Sequence, residues 1–411
     1  MQNDLISSLS VIEKKFNKKI STNIHIADNL LDQISQQLRN KRIIIISDSQ
    51  IVTHNKEYFN AIKSNLNAKS YILANPKCDI STANDISSFI HNIDLIIAFG
   101  SGTINDLCKY IAYQNNFDYA VIASAYSMNG YLSQNASITI SKHKKTISAK
   151  APTHAFFDLN LMNKSPTRLT KSGIFDVACS YLIENDWLLS SFLGMDSEYD
   201  PFYFDIQQSY LNDLDRNFDK LLLNQDNSSL LNLLIITGIL MNFSASSKPA
   251  SQGEHLIAHL LEMKNSFKKA LFHGEQVLVG SVLSYQIQSS IAQHFTNLVF
   301  KRKPNINFSD IFPAQYADSC KIEYNSKYTL IKSNRKLDNL NHYYNKILPK
   351  IISNLSSTKK LFTKFSNYNI SLKPSDYITD ASDTDYCLNY ASLIRNRFTH
   401  LDLLFHGKIS E

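Results

Sequence analysis

Residues 94–106 read Asp-Leu-Ile-Ile-Ala-Phe-Gly-Ser-Gly-Thr-Ile-Asn-Asp. A short apolar run ends at Gly100, and a segment of helical character follows from Thr103 to Gln114. A run of this length reads as a strand buried on both faces. The glycines let a backbone approach a pyrophosphate, and the N-terminus of the next helix offers unpaired N–H groups and the positive end of its dipole. An ordinary tight turn fits the same letters. Scarcity favours the ligand-binding turn, because the chain has 10 glycines in 411 residues and two of them stand here.

Upstream, residues 42–47, Arg-Ile-Ile-Ile-Ile-Ser, form a second such run, with Asp48 directly after it. Asp48 is placed either to accept hydrogen bonds from an adenosine ribose or to cap a helix. Further apolar runs lie at Tyr119–Ala123 and around His154–Leu159, with a helical segment at Glu57–Leu66. This alternation predicts an α/β sheet with ligands at the carboxyl ends of its strands. Past Asn163-Lys164-Ser165-Pro166 the period becomes helical, at 174–191, 230–243, 255–263, 275–294 and 386–405. The expected organisation is an α/β nucleotide-binding domain over 1–163 and a helical domain over 164–411, with the active site in the cleft between them. Residues 300–385, rich in Asn, Ser, Lys and Tyr, are expected to be helical and on the surface.

The composition narrows the function. Forty-two Lys+Arg against 36 Asp+Glu give a net charge of +6, without a basic cluster, which argues against a nucleic-acid partner. Five cysteines, widely spaced and without a CxxC pair, argue against a disulfide framework and a cysteine zinc site. The first residues lack the apolar core of a secretory signal, and Leu230–Met241 is shorter than the roughly 20 residues a membrane-spanning helix needs. A cytoplasmic protein without membrane insertion is expected.

His255 and His259 are four apart in Glu-His-Leu-Ile-Ala-His-Leu-Leu, so a helix projects both rings from one face, and His273 follows in Leu-Phe-His-Gly-Glu. Three histidines within 19 residues, in an apolar setting, suggest a metal or a proton relay; a set of ordinary core histidines is the alternative. The best candidate for a charged third ligand is Asp176, a carboxylate inside an otherwise apolar segment.

Taken in order, GSGTIND (100–106), SAYSMNGYLS (124–133), GIFD (173–176), SKPASQGEH (247–255) and FHGEQV (272–277) resemble the sn-glycerol-1-phosphate dehydrogenases. These belong to the group of iron-containing alcohol dehydrogenases, glycerol dehydrogenases and 3-dehydroquinate synthases. The likeness reaches the C-terminus, where residues 393–404 look like the family's last helix. The resemblance implies a Rossmann-like N-terminal domain and an all-helical C-terminal one, the dehydroquinate synthase-like fold. It implies Asp176, His255 and His273 as ligands of one divalent metal (Zn, Ni or Fe), and His259 beside the substrate as proton donor, directly or through water. Asp48, Gly100, Ser101, Gly102, Thr103, Ser124, Ser127 and Ser133 match the nicotinamide-cofactor site, and an Asp at 48 would favour NAD over NADP.

The implied reaction is reduction of dihydroxyacetone phosphate by NAD(P)H, the metal polarising the carbonyl. Lys248 replaces a family-typical Arg and could still attract the phosphate, as a point charge without a fork. Asn129 stands where the family has a substrate-contacting Asp, and Ser180 where it has a Lys. These departures keep two alternatives open: a different phosphorylated or phosphonylated ketone, aldehyde or polyol precursor as substrate, or a non-catalytic relative. A homo-oligomer, dimer or larger, is expected from the size class.

Overall fold

The computed structural model describes residues 2–140, 143–223, 226–303 and 305–409. The sheet strands are β1 (Asn23–Ala27), β2 (Ile43–Asp48), β3 (Lys69–Leu73), β4 (Leu95–Gly100) and β5 (Asp118–Ala123). After the paired strands β6 (Asn135–Ile140) and β7 (His143–Ser148) comes the sixth, β8 (His154–Asp158). Across the sheet the order is β1-β8-β5-β4-β2-β3, and every neighbouring pair is parallel. Helices α1 (Gln2–Phe16), α2 (Leu31–Leu38), α3 (Ser49–His54), α4 (Lys56–Asn65), α5 (Ile80–Phe89), α6 (Gly102–Asn115) and α7 (Leu159–Met162) precede or connect them.

The central strands are the ones the sequence reveals, because Ile43–Ile46 and Leu95–Phe99 are buried on both faces. β1 and β3 lie at the two edges, half-exposed and polar, and lack that signature. After β3 the chain returns past β2 to form β4, with Ile46 opposite Ala98 in the register. The carboxyl ends of β2 and β4, Asp48 and Gly100, therefore stand side by side at a topological switch point, where open parallel sheets bind their ligands.

Beyond β8 follow α8 (Thr167–Ala178), α9 (Ser180–Phe192), α10 (Phe202–Arg216), α11 (Phe218–Leu222), α12 (Ser228–Phe243), α13 (Gly253–Met263) and α14 (His273–His294). The last helices are α15 (Phe308–Ile311), α16 (Ala314–Ser333), α17 (Leu340–Asn367), α18 (Ala381–Tyr390) and α19 (His400–His406). By contacts the chain forms two units that interleave along the sequence. The first takes the chain through Ile140, Lys144–Val177 and Ile206–Ser247; the second takes Ser141–His143, Ala178–Asp205 and Lys248 onward. Pro166 marks the change from strand-rich to helix-rich sequence, yet most of α8 and the whole of α12 group with the sheet.

Within the second unit a buried carboxylate fixes the start of the histidine helix. Asp186, on α9, accepts the Gly253 N–H at 3.0 Å through Oδ2. Its Oδ1 accepts the His400 N–H at 2.9 Å and the His400 Nδ1–H at 2.6 Å. A Cβ at Gly253 would lie 2.6 Å from Asp186 Oδ2, so only glycine lets that helix start here.

Two expectations need correction. Residues 300–385 are helical, but α16 and α17 are part of the core, burying Tyr324, Ile331, Tyr344 and Ile351. The last helix does not run through 393–404: Ala391–Ile394 is a 3-10 turn, and α19 begins only at His400. Thr399 caps it, with Asp402 Oδ2 accepting the Thr399 N–H at 2.8 Å in a capping box that favours a start at this point. No helix of the described residues is long and apolar enough to cross a membrane.

Candidate functional site

In the first unit Gly100 closes β4 and Ser101, Gly102 and Thr103 open α6, all three partly exposed. A Cβ at Gly100 would sit 2.9 Å from that of Ile104, so the turn is tight. Asp48 caps α3, its Oδ1 accepting the Ile51 N–H at 2.9 Å. Capping uses one oxygen and fixes the carboxylate at the mouth of the switch point, so both readings of this residue are compatible.

Residues 124–133 form the loop after β5, and all are buried or nearly so. Its first residue is tied to the glycine turn, the Ser124 N–H donating to Gly100 O at 3.1 Å. Helices of the first unit close on it with glycines. A Cβ at Gly173 on α8 would fall 1.9 Å from Tyr126 O, and one at Gly238 on α12 would fall 2.8 Å from Asn129 O. The Ser172 hydroxyl donates to Ser127 O at 3.2 Å, and the Asn129 N–H donates to Asp176 Oδ2 at 2.9 Å. Asp176 is thus oriented by the loop that holds Asn129. The Ser133 hydroxyl is engaged inside the loop, with Gly130 O at 3.2 Å and the Lys109 ammonium at 3.0 Å.

In the second unit the first two turns of α13 and the start of α14 gather three imidazoles. Ring centroids are 5.2 Å apart for His255 and His273, 6.0 Å for His255 and His259, and 6.2 Å for His259 and His273. Gly280 permits the close approach of the two helices, since a Cβ there would lie 2.0 Å from Glu254 O. Glu254, fully buried, accepts the His255 Nδ1–H at 2.7 Å and the Gln252 N–H at 2.9 Å through one oxygen, Oε1. That bond fixes the tautomer and leaves the His255 Nε2 lone pair to a ligand, the arrangement usual for a metal-binding histidine. Burial pushes His259 down to about 3, overriding the opposing pull of Glu262, so its ring is neutral at pH 7. Its buried Nδ1 is 3.9 Å from Glu262 Oε2, beyond hydrogen-bond distance.

The sequence reading did not find Glu254 or Cys179, whose ligand-capable atoms lie with that of His255 within 4.8 Å of one another. The available signal was an acidic residue directly before a histidine at the start of an apolar helix. Lys248, the residue expected to attract the phosphate, is engaged by two carboxylates. Its ammonium stands 2.6 Å from Asp196 Oδ2 and 2.6 Å from Glu198 Oε2, which together outweigh its charge. Three clustered imidazoles, one of them oriented by a carboxylate, are a donor set that suits a divalent cation.

The family model described as iron-containing alcohol dehydrogenase matches residues 25–166. The glycerol-1-phosphate dehydrogenase (NAD(P)+) of Bacillus subtilis strain 168 is 29% identical over 284 residues, 65% of this chain and 70% of that one. That of Methanococcus aeolicus is 31% identical over 266 residues, 62% of this chain and 73% of that one. Among solved structures, the NADH-dependent butanol dehydrogenase A of Thermotoga maritima superposes with a TM-score of 0.60 at 14% identity, covering 94% of this chain and 96% of that one. An iron-containing alcohol dehydrogenase gives a TM-score of 0.56 at 12% identity, covering 94% and 96%. The structural likeness establishes the dehydroquinate synthase-like fold class, and the sequence likeness goes further: the chain belongs to the glycerol-1-phosphate dehydrogenase family, within the iron-containing alcohol dehydrogenases.

Proposed function

We propose that this chain is a metal-dependent, NAD(P)H-linked oxidoreductase that reduces dihydroxyacetone phosphate to sn-glycerol 1-phosphate. The observation that carries the reading is the imidazole cluster with its carboxylate-oriented His255. Asp176, His255 and His273 would hold the metal, which supplies a Lewis acid for the substrate carbonyl. The glycine turn and the first N–H groups of α6 would receive the cofactor's pyrophosphate. Asp48, with one oxygen on the α3 cap, would accept from the adenosine ribose with the other. A nicotinamide bound there would supply the hydride, and what this chain must then deliver is one proton to the substrate oxygen. A neutral His259 has one N–H to give, so it acts as a relay: it donates from one ring nitrogen as the other takes a proton from water.

One observation favours a second reading in which the substrate differs. Lys248 is paired with two carboxylates, and Asn129 is an amide that cannot serve as an anionic acceptor or a base. A neighbouring phosphorylated or phosphonylated carbonyl then takes the place of dihydroxyacetone phosphate. The test is NADH oxidation by protein of measured metal content, comparing dihydroxyacetone phosphate, dihydroxyacetone and glyceraldehyde 3-phosphate. Metal-dependent turnover of the first alone is expected. NADH binding without reduction of any of the three would move the substrate elsewhere. Asp176→Ala, His255→Ala and His273→Ala should each lose bound metal and turnover, and full metal content in all three would overturn the ligand set.

A further inference from the structure

Lys109 lies two turns along α6 from the glycine turn, and its side chain is fully buried. Its ammonium donates to Gly130 O, to Ser133 Oγ at 3.0 Å and to Asn135 O at 3.1 Å, so all three N–H bonds are used. Asp106, one turn earlier on the same helix, lies 3.7 Å away and accepts the Ser137 N–H at 3.0 Å. Asn105 adds a contact from its amide to Gly130 O at 3.5 Å. One face of α6 therefore grips residues 130–137.

A buried ammonium is costly where an apolar side chain would fill the space, so the place where it is used matters. Lys109 pulls on the carbonyl of Gly130, and two peptides back, at the start of the Asn129–Gly130 dipeptide, the Asn129 N–H meets Asp176 Oδ2 at 2.9 Å. Gly238 closes the third side, against the Asn129 carbonyl. The Asn129–Gly130 unit is thus held between the helix that begins at the cofactor turn and the carboxylate expected to meet the metal.

We infer that Lys109 is a positioning residue: by clasping the Gly130 carbonyl it aims the Asn129 N–H at Asp176, and so sets the affinity of that carboxylate for the metal. This rests on the reading of Asp176 as a metal ligand. The role requires no contact between Lys109 and the metal, the cofactor or the substrate.

The test measures Zn(II) affinity by competition with a chromophoric chelator in wild type, Lys109→Met, Asp176→Ala and the double variant, with thermal melting of the metal-free proteins alongside. Loss of an outer-shell partner typically weakens metal binding about 10- to 100-fold. The expected result is a drop of about tenfold in Lys109→Met and no further drop when the same change is made in Asp176→Ala. Wild-type Zn(II) affinity in Lys109→Met, beside an Asp176→Ala that has lost zinc, would overturn the clasp and leave Lys109 a structural residue. Wild-type zinc content in Asp176→Ala would overturn the ligand reading, and the clasp with it. Should Lys109→Met fail to fold, Lys109→Gln, which keeps two N–H donors, is read by the same outcomes with a smaller expected loss of about threefold.

Discussion

Lys109 carries its charge where water does not reach, and its titration reports the conflict. Burial pushes the ammonium down from 10.5 to about 8, while Asp106 and then Cys78 pull it back up. Below pH 8 the folded and unfolded chains both hold this proton, so the group adds no pH dependence there. Between pH 8 and 10.5 the unfolded chain holds the proton and the folded chain has released it, so a rise in pH favours the folded state. The slope approaches about 1.4 kcal/mol per pH unit. Lys109→Met has no such group. The difference in Tm between wild type and Lys109→Met should therefore widen in favour of wild type as pH rises from 8 to 10. A gap that stays constant or narrows would mean that the three acceptors hold the ammonium charged through this range.

At the scale of elements, the loop over residues 124–133 exists because helices with missing side chains can reach it. Gly173 is the sharpest case. An alanine gains about 1 kcal/mol of helix propensity at mid-helix. Its Cβ, however, would be placed 1.9 Å from a backbone oxygen, Tyr126 O, which has no rotamer to escape into. Overpacking costs about 1–3 kcal/mol, so the collision outweighs the propensity. Gly173→Ala should lower the Tm by several degrees and weaken NADH binding through the displaced loop. A Tm at or above wild type would show that the loop yields at no cost.

The same elements show what the sequence could reveal. β2 and β4 are legible because burial on both faces demands an unbroken apolar run, and the switch point between their ends follows from two short stretches. β1 and β3 are not, because an edge strand needs apolar residues on only part of its surface. The histidines declare themselves through their spacing on one helix, but Glu254 does not, since a carboxylate at a helix start is normally a solvated, dipole-favoured residue. Lys109 is concealed in the same way. Asp106 and Lys109, three apart on a helix, have the spacing of a surface ion pair, and only the packing of residues 130–137 shows the lysine side chain to be buried.

For the whole molecule, the interleaving of the two units has a consequence for how the chain folds. The break at Pro166 suggests that residues 1–163 could stand alone as a nucleotide-binding domain. The first unit, however, also needs α8, which meets the 124–133 loop, and α12, which packs on α1 and on the turn at Gly130–Leu132. Nine large apolar residues of α12 are buried: Leu230, Leu231, Leu233, Leu234, Ile235, Ile236, Ile239, Leu240 and Met241. At roughly 2 kcal/mol for each buried side chain, their transfer free energy is on the order of 18 kcal/mol. That is an upper estimate, but it exceeds the ~5–15 kcal/mol by which a domain is usually stable. A fragment ending at residue 163 should accordingly fail to reach a native state, with strong ANS binding, weak near-UV circular dichroism and no cooperative melt. A fragment extended to residue 247 should recover a cooperative transition, because it contains every segment of the first unit. If the 163-residue fragment melts cooperatively and binds NADH like the full chain, α8 and α12 are coverings that the sheet can do without. The glycines at 173 and 238 would then have to be explained by something other than the folding of this unit.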